Sequence, residues 1–287
     1  MPNILHRPEA GRGAGRALVV RGGALGDFIL VEPSVRALGE RGLAIDLVAD
    51  PRYVALLPPG SAKSVTDPRS AAALWLHGGG APPHPLPDFA LVYTPGVAEG
   101  LRNLGVPEVV EVAPRPPTGV SALRHFNAPL LGVAADRPPR LSADPRLRAT
   151  LERQIPAGAV VLAPGAAAPA KRWSGLEAVA RHLREAGVPV VWAPGRDEGP
   201  FSAPGELVLE GLDLPSLVAL AASARAWLGM DTGTSHLAQA AGCPTWALFG
   251  PTDPAVWCPA GATVVPFDAA PRALAQALLD ATAPAPG

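Results

Sequence analysis

Residues 231–242 (DTGTSHLAQAAG) bring an acid, two threonines, a glycine, a serine and a histidine to the opening of one predicted helix. An apolar run precedes them (AWLGM, 226–230) and a second follows (PTWALF, 244–249), so the stretch reads as strand, helix, strand. The first amides of a helix have no partner inside it, and the helix dipole adds partial positive charge at that end. Asp231, Thr232, Gly233, Thr234 and His236 therefore surround a place suited to an anion, and a phosphate-bearing ligand is the expected occupant. Gly233 also lets a ligand approach the backbone. The plainer alternative makes Asp231 an N-cap, His236 a core histidine bonded to a carbonyl, and the rest a polar first turn.

A second constellation lies near the start. The loop RGGALGD (21–27) follows the apolar run ALVV (17–20) and opens the next helical pattern. Gly23 and Gly26 give the loop its turn, and Asp27 is a carboxylate at a helix start, where in a cleft it can do chemistry. An acid in a first turn also stabilises its own helix, which is the commoner use. With Asp50 closing the next strand, the layout approaches a dinucleotide site. Leu25, however, stands where the middle glycine of G-x-G-x-x-G would be, so the signal for a nicotinamide cofactor is weak.

Lys171 is one of only two lysines and sits in PGAAAPAKRW (164–173), just after a predicted strand at 160–163. A solvated lysine is the ordinary reading, but this loop is also where a phosphate would bind. Asp197 and Glu198 follow the strand that ends at Ala193, placed either to reach ribose hydroxyls or to form a charged loop. Spacing for a metal is absent, as are a G-x-S-x-G elbow and a P-loop.

The elements that must position these residues alternate along the whole chain. Strands are predicted at 17–20, 44–49, 89–93, 109–112, 160–163, 188–193, 207–209, 226–230, 245–249 and 263–265. Helices are expected after the loop at 21–27, within 231–242, and at 96–104, 122–131, 175–186, 214–224 and 271–281. Pro33 should kink the first helix or mark a second start. The segments 57–62 and 78–88 read as loops. Such alternation predicts parallel sheets covered on both faces, and ten strands are wide for one sheet. The proline- and arginine-rich stretch 134–145 is the natural seam. The expected fold class is α/β, two Rossmann-like doubly wound domains facing across a cleft. Their spans are a first domain at 17–137, after a loose arm at 1–16, and a second domain at 138–287. The final helix is a candidate to pack back on the first domain. Ligands in such sheets sit beyond the carboxyl ends of the strands, where both loops of interest lie.

Composition bounds the function. At 287 residues with 48% hydrophobic and 17% charged, the chain has material for two cores. A net charge of −1 gives no broad basic field, which disfavours duplex nucleic acid as a partner. Cys243 and Cys258 are expected as free thiols in a reduced compartment. No run approaches the roughly 20 apolar residues of a membrane span, and residues 1–16 lack the apolar core of a secretory signal. A cytoplasmic protein with peripheral access to the inner membrane is the expectation.

Three segments together carry a family resemblance. RGGALGDFILVEPSVRAL (21–38), PGAAAPAKRW (164–173) and GMDTGTSHLAQAAGCPTWALFGPTDP (229–254) resemble glycosyltransferase family 9, the ADP-heptose:lipopolysaccharide heptosyltransferases and their relatives. The resemblance implies a GT-B fold, inversion at the anomeric carbon, no metal and no cofactor. It implies Asp27 as catalytic base and Lys171 on the nucleotide diphosphate. Asp231, Thr232, Gly233, Thr234 and His236 would line the donor site, Asp197 or Glu198 would bind ribose, and Gly23 and Gly26 would lie in the loop near the reactants. The implied partners are an ADP-type nucleotide sugar and a lipid-linked or oligosaccharide acceptor such as lipopolysaccharide core. One departure is the proline-broken segment 61–88, where no surplus of basic residues for an acidic acceptor stands out. Two other readings remain at this stage: a family member that binds nucleotide or saccharide without turnover, and an NAD-dependent oxidoreductase built on residues 22–50.

Overall fold

The computed structural model describes residues 15–195 and 201–281, and its internal contacts divide the chain into two units, Met1–Pro139 and Arg140–Gly287. Most of the expected arm at 1–16 lies outside the described residues. Each unit is an open, wholly parallel sheet with helices packed on it.

Unit 1 runs β1 (Arg16–Val20), α1 (Leu25–Glu40), β2 (Ala44–Val48), α2 (Pro51–Val54), β3 (Ser64–Thr66), a 3₁₀ turn at Ala71–His77, β4 (Phe89–Val92), α3 (Val97–Asn103), β5 (Glu108–Glu111) and α4 (Ala122–Leu131). The strand order is β3-β2-β1-β4-β5, so β1 is central and buried on both faces. Side chains alternate along a strand. Leu18 and Val20 pack with Ala90 and Val92 against Trp75, Leu76, Val97 and Leu101 from the 3₁₀ turn and α3. Alternation sends Ala17 and Val19 to the other face, where α1 packs on α4.

Two sequence expectations change here. Pro33 opens no second helix, because α1 continues through it. Its ring removes one backbone donor, and the almost unbroken burial from Phe28 to Leu38 holds the helix together regardless. The three-residue strand β3, inside the segment read as proline-broken, pairs with β2 through Asp46↔Ser64 and Val48↔Thr66.

Unit 2 runs α5 (Pro145–Gln154), β6 (Val160–Ala163), a 3₁₀ turn at Pro169–Lys171, α6 (Leu176–Glu185), β7 (Val190–Trp192), β8 (Leu207–Val208), α7 (Leu214–Ser223), β9 (Ala226–Met230), α8 (Gly233–Ala240), β10 (Thr245–Phe249), α9 (Pro254–Trp257), β11 (Thr263–Pro266) and α10 (Pro271–Ala281). Its order is β11-β10-β9-β6-β7-β8. One face is sealed by α6 and α10, whose Val179, Leu183, Leu274 and Leu278 meet Leu162, Leu228 and Leu248 from the strands. The last helix thus finds its apolar partner, α6, inside its own unit. The helices α5, α7 and α8 form a second packed set.

Because β10, β9 and β6 are neighbours, the loops leaving their carboxyl ends lie side by side. Those loops carry Thr252, Asp231 and Lys171 respectively. In unit 1 the loop leaving central β1 leads into the first turn of α1, which carries Asp27. The fold therefore brings every described site candidate to the carboxyl edge of its sheet, where parallel α/β proteins bind ligands.

Candidate active site

In unit 2 the site is built around Asp231. Its backbone N–H is fixed by Leu248 O at 2.9 Å, continuing the ladder between β9 and β10, and its side chain is 7% exposed. The Lys171 ammonium lies 2.7 Å from Asp231 Oδ2 and 3.3 Å from the Asp231 carbonyl oxygen. The Thr252 hydroxyl donates to the same Oδ2 at 2.5 Å. Asp231 is thus not the N-cap that its position suggested. That place belongs to Thr232, which makes no side-chain cap bond; its hydroxyl instead reaches the Thr234 hydroxyl at 2.9 Å. The opening amides of α8 are therefore left uncapped by its own N-cap side chain.

Local packing explains this arrangement. Ser235 is buried and donates to Met230 O at 2.6 Å, pinning α8 to the end of β9. A Cβ at Gly229 would stand 2.8 Å from Ser235 Oγ and 2.7 Å from Trp227 Nε1, so only glycine admits that approach. His236 is buried in the same first turns. The Lys171 loop is held by Arg172, whose Nε donates to Ala166 O at 3.1 Å, and by Trp173, whose indole N–H donates to Phe267 O at 2.8 Å. Cys258 is close enough to feel Asp231: burial, and secondarily that negative charge, push its thiol above the usual range. It remains a free thiol, as does Cys243.

In unit 1 Asp27 occupies the third position of α1. Its Oδ2 accepts the N–H of Ala24 at 3.1 Å, the helix-start role anticipated as its ordinary use. Its Oδ1 lies 2.8 Å from Nη2 of Arg21, and the Arg21 Nε donates to the Asp27 carbonyl at 3.3 Å. The Asp27 side chain is 30% exposed, so it is neither enclosed nor lost in the interior. Gly23 is essential to its placement: the residue has φ +109°, and a Cβ there would lie 2.6 Å from Asp27 Oδ2. Gly26 lies within α1, one residue before the acid.

Asp50 does not present a free carboxylate to a ribose. It caps α2 through the Arg52 N–H and is gripped by the guanidinium groups of Arg52 and Arg69. Arg52, chiefly by hydrogen bonding, holds the Asp50 carboxyl below its ordinary range. Arg69 does the same for Asp67. These four residues follow β2 and β3 at the carboxyl edge, beside Tyr53, whose ring packs 5.7 Å from that of Phe28. Within this cluster two arginines balance two aspartates. Asp197 and Glu198 lie outside the described residues. Among the described residues, no cluster of three or more His, Cys, Asp or Glu side chains could hold a metal ion.

Sequence reasoning singled out neither Arg21 nor Thr252. Thr252 stood in a quoted motif without a role, and its signal is its place in the loop leaving the strand next to β9. Arg21 could have been found as the one basic residue between an apolar strand and a glycine loop, a place where burial demands a partner.

Two wholly parallel α/β units fit the GT-B class, and comparison with known proteins agrees. The model of glycosyltransferase family 9 (heptosyltransferase) matches residues 100–276, and the chain belongs to that family. The match includes Lys171 and Asp231 to His236, while Asp27 lies before it. Over 47 residues the chain is 49% identical to lipopolysaccharide heptosyltransferase 1 of Pseudomonas aeruginosa, a stretch spanning 16% of this chain and only 13% of that relative. The E. coli ADP-heptose LPS heptosyltransferase II superposes with a TM-score of 0.71 at 20% identity, covering 93% of this chain and 98% of that one. The family 9 glycosyl transferase from Veillonella parvula DSM 2008 gives 0.68 at 16% identity, with 88% and 85% covered. At those identities the two structures establish shared fold.

Proposed function

We propose that the protein transfers a heptose-like sugar from an ADP-type nucleotide donor to a hydroxyl of a cell-envelope saccharide such as lipopolysaccharide core. In this reading the anomeric carbon inverts and no metal is required. The observation that carries it is the Lys171–Asp231 pair beside the uncapped start of α8. A diphosphate arriving there meets backbone amides, the helix dipole and an ammonium that can leave Asp231 for a phosphate oxygen. Those groups stabilise the charge that grows on the leaving diphosphate, the role a divalent cation plays in other phosphate chemistry.

On the acceptor side Asp27 is the base. An ionised carboxylate offers about four lone-pair sites, and the Arg21 and Ala24 contacts leave others for an acceptor hydroxyl. As that oxygen attacks the anomeric carbon, its bond to carbon forms and the bond from carbon to the diphosphate oxygen breaks. The hydroxyl proton passes to Asp27 and then to solvent, and the electron pair departs with the nucleoside diphosphate. General-base assistance of this kind contributes about 10²–10⁴-fold. The balanced Arg52, Asp50, Arg69 and Asp67 cluster offers alternating donors and acceptors suited to sugar hydroxyls. Among the described residues no helix is long and apolar enough to cross a membrane, and we place the protein at the cytoplasmic face, meeting its acceptor there.

The test is mass-spectrometric detection of transfer with a panel of nucleotide sugars and truncated lipopolysaccharide acceptors. ADP-heptose turnover that survives EDTA and is abolished in Asp27→Ala supports the reading. Strict metal dependence removes the metal-free mechanism, and retained turnover in Asp27→Ala removes the base. A second reading, binding without turnover, draws on the ordinary helix-start contacts of Asp27; measurable hydrolysis of donor without acceptor excludes it.

A further inference from the structure

The first residue after β1 is a guanidinium in the interior of unit 1. Arg21 is 5% exposed, and its backbone N–H is tied to Val48 O at 2.9 Å. Its guanidinium carbon lies 4.4 Å from the centroid of the Phe126 ring and 5.3 Å from that of Tyr93. Those rings meet edge to face at 5.9 Å, and the Tyr93 hydroxyl donates to the Phe126 carbonyl at 3.0 Å. Burial pulls this arginine below its usual range, with the Asp27 charge acting in the opposite direction.

A buried ion pair is weak as a stabilising device, because desolvation of both ions offsets their attraction and an apolar side chain of similar size serves a core as well or better. Stability alone therefore gives little reason for an arginine here. What the arginine does that an apolar residue cannot is hold Asp27 at two points, through Oδ1 and through the backbone carbonyl. The Ala24 N–H holds the remaining oxygen. The cation is itself fixed by two rings whose positions α4 and β4 set. The chain of restraint thus runs from the core of unit 1 to a carboxylate at its edge, the kind of support that the sub-ångström tolerance of proton transfer demands.

We infer that Arg21 is a positioning residue, clamped by Phe126 and Tyr93, that sets the direction in which the Asp27 carboxylate meets the acceptor hydroxyl. The inference rests on the reading of Asp27 as the base, and the experiment separates the two. Steady-state transfer from ADP-heptose to truncated lipopolysaccharide is measured for wild type, Arg21→Met, Arg21→Lys, Asp27→Asn and the Arg21→Met/Asp27→Asn double variant. Arg21→Met should lower kcat by ~10²-fold with the donor KM within about 2-fold, as expected of a misplaced catalytic group. Arg21→Lys should recover roughly 10-fold of that loss, since an ammonium still reaches one carboxylate oxygen. The double variant should be no slower than Asp27→Asn alone, because Arg21 acts only through that residue.

Wild-type kcat in Arg21→Met, or multiplied losses in the double variant, would overturn the clamp. Full turnover in Asp27→Asn would instead remove the base, whatever Arg21 does. A crystal structure of Arg21→Met decides the matter independently of turnover: the Asp27 carboxylate should leave its wild-type position by more than about 1 Å, and an unmoved carboxylate refutes the role. Should Arg21→Met fail to fold, Arg21→Lys and Phe126→Leu carry the same comparison, each with an intermediate loss in kcat expected and none refuting it.

Discussion

Adjacent glycines at the end of β1 should respond to the same substitution in opposite ways. Gly22 has no φ in the left-handed region, and a Cβ added there meets Thr94 Oγ1 at 3.6 Å, an ordinary contact. Gly23 has φ +109°, and its added Cβ would lie 2.6 Å from Asp27 Oδ2. In Gly23→Ala the backbone pays about 1–2 kcal/mol for an L-residue in that region. To restore ordinary contact the carboxylate must also retreat by about 0.8 Å, which stretches its bond from the Ala24 N–H beyond hydrogen-bonding range. Losing that partly exposed, charge-assisted bond adds roughly 1 kcal/mol. The expected destabilisation is about 2–3 kcal/mol, or some 6–9 °C in the melting temperature of a unit this size at ~3 °C per kcal/mol. A displacement approaching 1 Å at a reacting group costs ~10² in rate, so kcat should fall about 100-fold. Nucleotide affinity, which the proposed function assigns to unit 2, should stay within 2-fold. Calorimetric unfolding, transfer kinetics and ADP titration of Gly22→Ala and Gly23→Ala side by side make the measurement. Equal behaviour of the two variants, or a Gly23→Ala protein with wild-type kcat, would refute the argument that the Gly23 backbone sets the position of Asp27.

In unit 2, Lys171→Ala should weaken ADP binding by about 10–100-fold, the usual worth of one charge-assisted bond; an unchanged dissociation constant by titration calorimetry counts against its role. Burial pushes the Cys243 thiol up to about 12 from an ordinary 9.0. The native protein therefore keeps a proton that the unfolded chain releases, so this contribution to stability is complete below pH 9 and is lost as the pH rises toward 12. Cys243→Ala should flatten the fall in melting temperature across that window. Cys243 should also resist a thiol reagent at pH 8 until the protein unfolds, and rapid native labelling would contradict its burial.

Seven of the strands, β1, β2, β4, β6, β7, β9 and β10, were legible because burial leaves a plain mark, and the partly exposed edge strands β5, β8 and β11 were read from short apolar runs alone. Parallel strands covered on both faces read as short apolar runs between turns, as AWLGM and TWALF do. The elements that escaped are those that packing barely touches. The strand β3 is three residues long, exposed in part and held by register with β2. In α5 only Leu151 is buried, so no apolar stripe announces it. Its Asp144 cap followed by Pro145 was the available signal, and that signal fell inside the stretch taken as a seam. Conversely Pro33, a helix breaker by local rule, was overruled by the core around α1.

For the site, the sequence determined residue types and edges: an acid after β1, a lysine after β6, and an acid, threonines and a histidine after β9. Spacing along a strand and loop fixes which end of a sheet a residue reaches. Pairing between residues far apart in the chain is not written in local pattern. Only tertiary structure set Lys171 on Asp231, sixty positions away, brought Thr252 to the same oxygen, and placed Arg21 against two aromatic rings, Tyr93 just after β4 and Phe126 in α4. Strand order makes neighbours of loops that the chain keeps apart, and burial then decides which of their charges must find each other.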